Sequence, residues 1–255
     1  MVEPRPSASV ILVRDGPAGL ESFMVRRHAG SRAFASAYVF PGGTVRDDDR
    51  ALPVVEPDRL SEAPSKRSDT PVVNNEAAAY FVCAVRELFE EAGVLLVTNA
   101  DGDLVAVDPS DTALQERLES LRLSLQAGKL TIGQVLAENA WRPAFDLLVP
   151  FSHWITPRTV PARFDTRFFV AEMPNGQSAL HDTIETSEGV WLAPAQALEP
   201  EYHTVYATEQ HLRRLRMFPT VGDLMMFAKS KPIRMVSPAL NSGHISIRAD
   251  IADAW

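Results

Sequence analysis

The stretch that decides the fold of this chain is residues 86–94, which read Arg-Glu-Leu-Phe-Glu-Glu-Ala-Gly-Val. Residues three and four positions apart share one face of an α-helix, so Glu87, Glu90 and Glu91 present their carboxylates together. Like charges at this spacing repel, and a hard divalent cation such as Mg²⁺ or Mn²⁺ prefers carboxylate oxygens and relieves the repulsion. Taken alone, the pattern is more often that of a solvated acidic helix face, because such faces are common.

The surrounding sequence places this stretch at the end of a helix. Apolar side chains recur at spacings of three and four within residues 75–92, and Gly93 stands where a left-handed cap ends a helix. Further upstream, Phe40-Pro41-Gly42-Gly43 follows a short apolar run and predicts a strand that enters a rigid turn.

Residues 86–94 agree with the second half of the Nudix box, R-E-U-x-E-E-x-G-U with U aliphatic, and Phe40–Gly43 resembles its beginning. The chain is therefore similar to the Nudix hydrolase superfamily. This resemblance implies an α/β/α sandwich with a mixed sheet, and it implies Arg86, Glu87, Glu90 and Glu91 as catalytic residues. The three glutamates are the implied ligands of Mg²⁺ or Mn²⁺.

The match departs from the usual box in two ways. Gly43 precedes Arg86 by 43 positions in place of 14, and the position eight before Arg86, where the box carries a glutamate, is Ala78. We assign the additional residues to an insertion at 46–74, whose recurrent prolines predict a loop with little regular structure. Glu76 lies nearest to the missing glutamate but on a different helix face. An interrupted box resembles the long-insert Nudix group to which the mammalian peroxisomal coenzyme A diphosphatase belongs.

The resemblance to coenzyme A-hydrolysing Nudix enzymes extends to two arginines before the glycines. Arg27 and Arg32 occur as R-x4-R-x7-FPGG, although His28 and Ser36 depart from that pattern. Guanidinium groups clamp phosphates with two hydrogen bonds, so these arginines, with Gly42 and Gly43, are the predicted substrate-binding residues. A surface charge at a strand edge is an equal reading of Arg27.

Two acids before Trp191 are candidates for the general base, which Nudix enzymes take either from the box helix or from a later loop. Glu185 is the first choice and Glu188 the second. Each is also typical of a solvated loop residue.

Three functions remain in competition at this point. The favoured one is metal-dependent hydrolysis of the pyrophosphate linkage of a nucleoside diphosphate derivative, with coenzyme A or acyl-coenzyme A as substrate. The alternatives are a pyrophosphatase acting on NADH, ADP-ribose or another nucleotide conjugate, and a catalytically inactive Nudix-fold binding module, which the loss of the glutamate at Ala78 favours.

The amino-acid composition limits the kinds of binding partner and the cellular location to be expected. The 255 residues carry 25 Lys and Arg against 33 Asp and Glu, a net charge of −8, which argues against nonspecific nucleic-acid binding. No apolar stretch is long enough to span a membrane, and the one cysteine, Cys83, gives no sign of an oxidising compartment. We expect a cytoplasmic protein, and the resemblance implies a homodimer. Residues 211–235 carry a charge of +5 that could assist in holding a polyanion.

The chain is expected to form a single domain, residues 1–255, with a helical insertion at 108–142 and a helical C-terminal extension at 200–255. Aromatic residues such as Trp154 and Phe168 are expected in the core more often than in a ligand site. The histidines show no metal-ligand spacing, and most are expected at the surface. Strands are predicted at 8–14, 22–27, 94–98, 146–151, 167–173 and 188–193.

Overall fold

A computed structural model describes residues 2–31, 34–54, 60, 64–72, 74–108, 110–180, 186–241, 244–248 and 255. Its helices are α1 (Asp47–Ala51), α2 (Asn74–Ala92), α3 (Thr112–Gln126), α4 (Ile132–Glu138), α5 (Tyr206–Leu215) and α6 (Val221–Ser230). Its strands are β1 (Arg5–Gly16), β2 (Gly19–Arg27), β3 (Tyr38–Val39), β4 (Gly42–Thr44), β5 (Val97–Thr98), β6 (Arg142–Pro143), β7 (Val149–Ile155), β8 (Phe164–Glu172), β9 (Thr186–Leu192), β10 (Met235–Val236), β11 (Ala239–Asn241) and β12 (His244–Ser246).

Within the described residues, eight strands form one mixed sheet in the order β10-β7-β8-β1-β2-β3, with β4 paired to β1 and β9 paired to β2. Strand β1 is central. Its C-terminal half pairs with β2 as a hairpin, its N-terminal half pairs with β4, and its other edge runs parallel to β8 along its length. The glycines of β4 are thereby fixed beside the start of β1.

Side chains alternate along β1 and supply two cores, one on each face of the sheet. Val10 and Leu12 pack with the apolar face of α2 and with α3 and α4. Ile11 and Val13 pack on the opposite face, with α5 and α6. Helices thus cover both faces of a mixed sheet, which confirms the predicted α/β/α sandwich.

The insertion at 46–74 contains more regular structure than its prolines predicted. Asp47–Ala51 forms helix α1, and residues 64–67 are also helical. The first turn of α1 contains three aspartates, whose negative charges interact favourably with the positive end of the helix dipole. The Asp49 carboxylate also accepts a hydrogen bond from the backbone N–H of Arg46 at 2.8 Å. The prediction of a mostly irregular loop was wrong for these residues.

Two predicted strands have different bounds in the structure. The strand predicted at 94–98 is reduced to β5, because the side-chain amide of Gln177 bonds the N–H and the carbonyl of Leu95. The strand predicted at 146–151 begins at Val149 and continues to Ile155 past a bulge between Pro150 and Ser152. Among the described residues, no helix combines the length and the apolar character that a membrane crossing requires.

Candidate active site

The three glutamates of α2 are buried, with 6%, 3% and 2% of Glu87, Glu90 and Glu91 exposed. The opposite side of the helix carries the apolar residues that pack on the sheet, so the carboxylates lie between α2 and the N-terminal end of β1 and β4. They do not form the solvated acidic face that the bare spacing also allowed. A buried carboxylate requires neutralising partners, and those partners define the site.

The glycines of β4 meet the carboxylates directly. The N–H of Gly42 donates to Oε2 of Glu91 at 2.9 Å. A Cβ on Gly43 would lie 2.4 Å from Oε1 of Glu87, and a Cβ on Gly42 would lie 2.5 Å from the carbonyl oxygen of Ala8. Gly42 therefore has no room for a side chain against the backbone of β1, whereas a side chain at Gly43 would displace the Glu87 carboxylate. The two halves of the interrupted box are adjacent in space.

Arg86 is completely buried and is held by acids from two parts of the chain. Its Nε and Nη2 donate to the two carboxylate oxygens of Asp49, each at 2.8 Å, and Nη1 donates to Glu87 at 2.6 Å. Nη2 also donates to the carbonyl of Thr44 at 3.0 Å. Burial lowers the pKa of Arg86, but Glu87 and Asp49 outweigh burial and raise the pKa above its ordinary value, so the guanidinium stays charged.

Asp49 corrects the expectation that the first acid of the box is lost at Ala78. Ala78 is a buried apolar position on α2, whereas Asp49 supplies the carboxylate that holds Arg86. In the usual box that acid stands six positions after the second glycine, and six positions after Gly43 is Asp49. The additional residues therefore lie between Asp49 and Arg86. Counting forward from the glycine finds this residue, and counting back from the arginine misses it.

Glu90 is bound by a second arginine that the sequence did not single out. Nη1 and Nη2 of Arg46 donate to its two oxygens, each at 2.8 Å, and Nη1 of Arg86 approaches at 3.3 Å. Burial, followed by the neighbouring charge of Glu87, raises the pKa of Glu90 to about 7, although Arg86 and Arg46 act in the opposite direction. The cluster thus carries more negative charge than its buried surroundings favour.

Helix α3 fixes the end of the box helix. The backbone oxygen of Glu90 accepts from Nε of Arg122 at 3.0 Å and from the side-chain amide of Gln126 at 2.8 Å. Arg122 is buried and also bonds the carbonyl of Leu180 at 2.8 Å. The helices of 108–142 therefore clamp α2 close to its carboxylates.

A cavity of about 440 Å³ opens beside this cluster. Its lining includes Glu87, Arg27 and Arg46 with the backbone of β4, and this group of residues beside the glutamates is called the polar end. Much of the remaining lining is apolar and aromatic and includes Phe34, Trp154, Phe164, Phe168 and Tyr206. Trp154 and Phe168 are buried core residues, as expected, and the same rings also border the cavity.

The predicted substrate and base residues have different outcomes. Arg27 lines the cavity with Nη1 3.9 Å from Oε1 of Glu91, whereas Arg32 and Glu185 lie outside the described residues. Glu188 accepts a hydrogen bond from the Tyr38 hydroxyl at 2.7 Å and faces Arg26 at 3.9 Å. Its two partners lie on β3 and β2 and it does not line the cavity, so its role as a general base stays a prediction.

Two of the histidines are not at the surface: His153 and His211 are buried, where His153 bonds Thr70 and Asp165 and His211 bonds Ser152 and the carbonyl of Ala207. The expectation for the basic residues of 211–235 needs correction. The basic residues of 211–235 do not reach the polar end of the cavity. Arg213 pairs with Glu209, Arg214 lies over the ring of Trp255, and Lys231 bonds the carbonyl of Phe151.

Comparisons with known proteins agree with this geometry. A Nudix hydrolase from Alicyclobacillus acidocaldarius, of known crystal structure, aligns with 91% of this chain and 98% of its own, at a TM-score of 0.67 and 24% identity. The fold is thus that of the Nudix class. The family model of the NUDT19 Nudix domain matches residues 5–207, and the chain belongs to this family. The match confirms the predictions of a Nudix hydrolase and of a resemblance to the long-insert group.

The chain is also similar to the acyl-coenzyme A diphosphatases NUDT19 of Xenopus laevis and Homo sapiens. Identity to the frog protein is 25% over 244 residues, which cover 84% of this chain and 64% of that protein. Identity to the human protein is 27% over 272 residues, which cover 90% of this chain and 69% of that protein. The chain therefore spans about two thirds of the length of these relatives.

Proposed function

We propose that this protein hydrolyses the pyrophosphate linkage of a nucleoside diphosphate derivative with the help of Mg²⁺ or Mn²⁺, and that its substrate is coenzyme A or acyl-coenzyme A. The observation that carries the proposal is the buried carboxylate cluster of Glu87, Glu90 and Glu91, of which Glu87 lines the cavity. Three buried acids within two turns of one helix are costly to the fold, so we infer that they are retained for metal binding.

The chemistry of the donor set fits a hard divalent cation. The side chains of the cluster offer carboxylate oxygens, and burial together with the charge of Glu87 raises the pKa of Glu90 to about 7, so a bound cation would favour its ionised form. Among the residues that the structure describes, no three acidic, histidine or cysteine side chains converge on one point, and Arg46 and Arg86 hold the oxygens of Glu90. Glu87, Glu90 and Glu91 would hold the metal after a small rearrangement of these arginines. The bound metal would supply charge for the phosphates and acidify a water molecule.

The residues around the cluster would position the substrate. Arg27 and Arg46 line the polar end, and their guanidinium groups are suited to binding phosphate oxygens. Gly42 and Gly43 lack side chains, so β4 would let the substrate approach closely. Arg32 and Glu185 remain proposals for phosphate binding and for the general base. Arg86 acts through Glu87 and Asp49 and is a positioning residue.

Two features support coenzyme A over other nucleotides. The relatives of the chain are named acyl-coenzyme A diphosphatases. The cavity lining also combines arginines with apolar and aromatic side chains, which suits a substrate that carries a pyrophosphate and a long, partly apolar arm. NADH and ADP-ribose, which carry a second polar nucleoside or sugar in that place, are the alternative substrates. A cytoplasmic location and a homodimer remain predictions.

The test is a substrate panel with Mg²⁺ or Mn²⁺, with products separated by chromatography. We expect release of 3′,5′-ADP with phosphopantetheine or its acyl derivative. Preference for NADH or ADP-ribose would support the alternative substrates. Metal binding without turnover of any nucleotide conjugate would identify an inactive binding module and overturn the proposal.

A further inference from the structure

The guanidinium of Arg46 binds both carboxylate oxygens of Glu90, the atoms that a metal cation would bind. Its two terminal nitrogens each donate to one oxygen of Glu90 at 2.8 Å, which is the two-point geometry of a strong charge-assisted pair. Glu90 is nearly completely buried, so little water competes for its oxygens. A carboxylate held in this manner has lone pairs directed at a guanidinium, and a metal must compete for them.

In the pair of Arg46 and Glu90, the side chain of Arg46 is the less constrained of the two. The backbone of Glu90 is clamped by Arg122 and Gln126, and Arg86 remains within 3.3 Å of its carboxylate. The Arg46 side chain is 34% exposed and borders the cavity. Its N–H is anchored to Asp49 at 2.8 Å, so the guanidinium can swing about a fixed backbone.

We propose that Arg46 exchanges between two anions, Glu90 in the metal-free protein and a substrate phosphate once a divalent cation holds Glu90. This inference rests on the proposed function. The exchange replaces one positive charge at Glu90 by another and places a second guanidinium beside Arg27 at the polar end of the cavity. Arginine suits this role because its planar fork matches carboxylate and phosphate equally well.

The exchange couples metal binding to substrate binding. Without substrate, Arg46 competes with the metal and weakens its binding. With a phosphate in the cavity, Arg46 has an alternative partner, so the metal binds more tightly, and by reciprocity the metal tightens substrate binding. A residue that merely stabilised the box helix would not produce this coupling.

The test measures Mn²⁺ affinity by electron paramagnetic resonance for the wild type and for Arg46→Gln, at about pH 8.5 so that the carboxylates are ionised. We expect Arg46→Gln to bind Mn²⁺ about tenfold more tightly, because the competing charged hydrogen bonds are gone. A methylene-bridged nucleoside diphosphate, which resists hydrolysis, should tighten Mn²⁺ binding to the wild type more than to the variant, in which only the direct attraction between metal and phosphate remains. In turnover assays, KM should rise more than kcat falls.

Arg50→Gln is the matched control. Arg50 lies on α1 and forms an ion pair with Glu76 of α2, with 3.2 Å between Nε and Oε2, and neither residue lines the cavity. Arg50→Gln should bind Mn²⁺ like the wild type. Arg46→Lys retains the positive charge but loses the two-point hydrogen bonding, so its affinity for Mn²⁺ should be intermediate. It replaces Arg46→Gln in the experiment if that variant does not fold. Equal Mn²⁺ affinity in the wild type, Arg46→Gln and Arg46→Lys would overturn the exchange. Absence of Mn²⁺ binding in every variant would instead overturn the proposed function.

Discussion

Asp49 and Arg86 stand 37 positions apart in the sequence, yet their side chains form a buried two-point ion pair, with both N···O distances 2.8 Å. The same Asp49 carboxylate accepts the N–H of Arg46, whose side chain binds Glu90. The short helix α1, which contains Asp49, thus connects both arginines to the box carboxylates. The interruption of the box leaves this arrangement intact because it falls after Asp49.

The first prediction concerns this ion pair. Asp49→Asn should lower the free energy of unfolding by about 3–5 kcal/mol, because it leaves the buried Arg86 without a full partner. Chemical denaturation measures the change. Asp47→Asn is the control, because Asp47 is fully exposed on the same helix, and should change stability by less than about 0.5 kcal/mol. Equal stability of the two variants would contradict the structural role of Asp49.

The second prediction separates catalysis from folding on α2. Glu91→Gln should reduce kcat/KM by about a hundredfold or more, since it removes a proposed metal ligand, while the melting temperature stays nearly unchanged. The amide can still accept the hydrogen bond from Gly42. Glu76→Gln, at an acid of the same helix outside the cavity, should retain activity. A Glu91→Gln protein that unfolds would show that Glu91 serves the fold.

The third prediction tests the close approach of β4 to the box helix. Gly43→Ala should displace the Glu87 carboxylate, because the new methyl group would lie 2.4 Å from Oε1. We expect a loss of about 1–3 kcal/mol in stability and at least about tenfold in activity. At Gly30 a Cβ would meet no atom within 4 Å, so Gly30→Ala should leave both properties unchanged. An unaltered Gly43→Ala enzyme would show that the glycine is not needed for contact with Glu87.

The fourth prediction concerns pH and Lys231, which is buried and bonds the carbonyl of Phe151. Burial, with smaller contributions from Arg214 and Arg67, lowers the pKa of Lys231 to about 7. A lowered lysine pKa means that the fold disfavours the charged form. This destabilisation is therefore complete below about pH 7 and disappears as pH rises toward the unfolded value of about 10.4.

Urea denaturation at several pH values measures this effect. Lys231→Met should be more stable than the wild type near pH 6.5, and the advantage should shrink by about pH 9.5. Lys229→Met, at an exposed position of α6, provides the control for the loss of one lysine. A stability difference that does not change with pH would show that Lys231 keeps an ordinary pKa.

Much of the site follows from local sequence. The periodicity of residues 75–92 predicts α2 to within one residue of its observed bounds, Asn74–Ala92, because apolar spacing decides which face meets the sheet. The same spacing places Glu87, Glu90 and Glu91 together. The meeting of Gly43 with Glu87 required the family resemblance, since no local signal joins residues on two sides of a long insertion.

The remainder depends on contacts that a linear sequence does not reveal. Arg46 reaches Glu90 because α1 packs on α2. Arg122 reaches the C-terminal end of α2 because α3 also packs on α2. His211 is buried because Ser152 and a backbone carbonyl satisfy both ring nitrogens, a tertiary arrangement without a sequence pattern. In these places tertiary pairing outweighs the tendency of polar residues to lie at the surface.

We propose that this carboxylate cluster, with a bound divalent cation, hydrolyses the pyrophosphate of coenzyme A. Chromatography of coenzyme A incubated with the wild type and with Glu91→Gln, in the presence of Mg²⁺ and after its removal by a chelator, measures this reaction directly. We expect 3′,5′-ADP and phosphopantetheine from the wild type with Mg²⁺, and almost none from the variant or without metal. Intact coenzyme A after incubation with the folded wild type and Mg²⁺, or equal turnover by a folded Glu91→Gln protein, would contradict the proposed function.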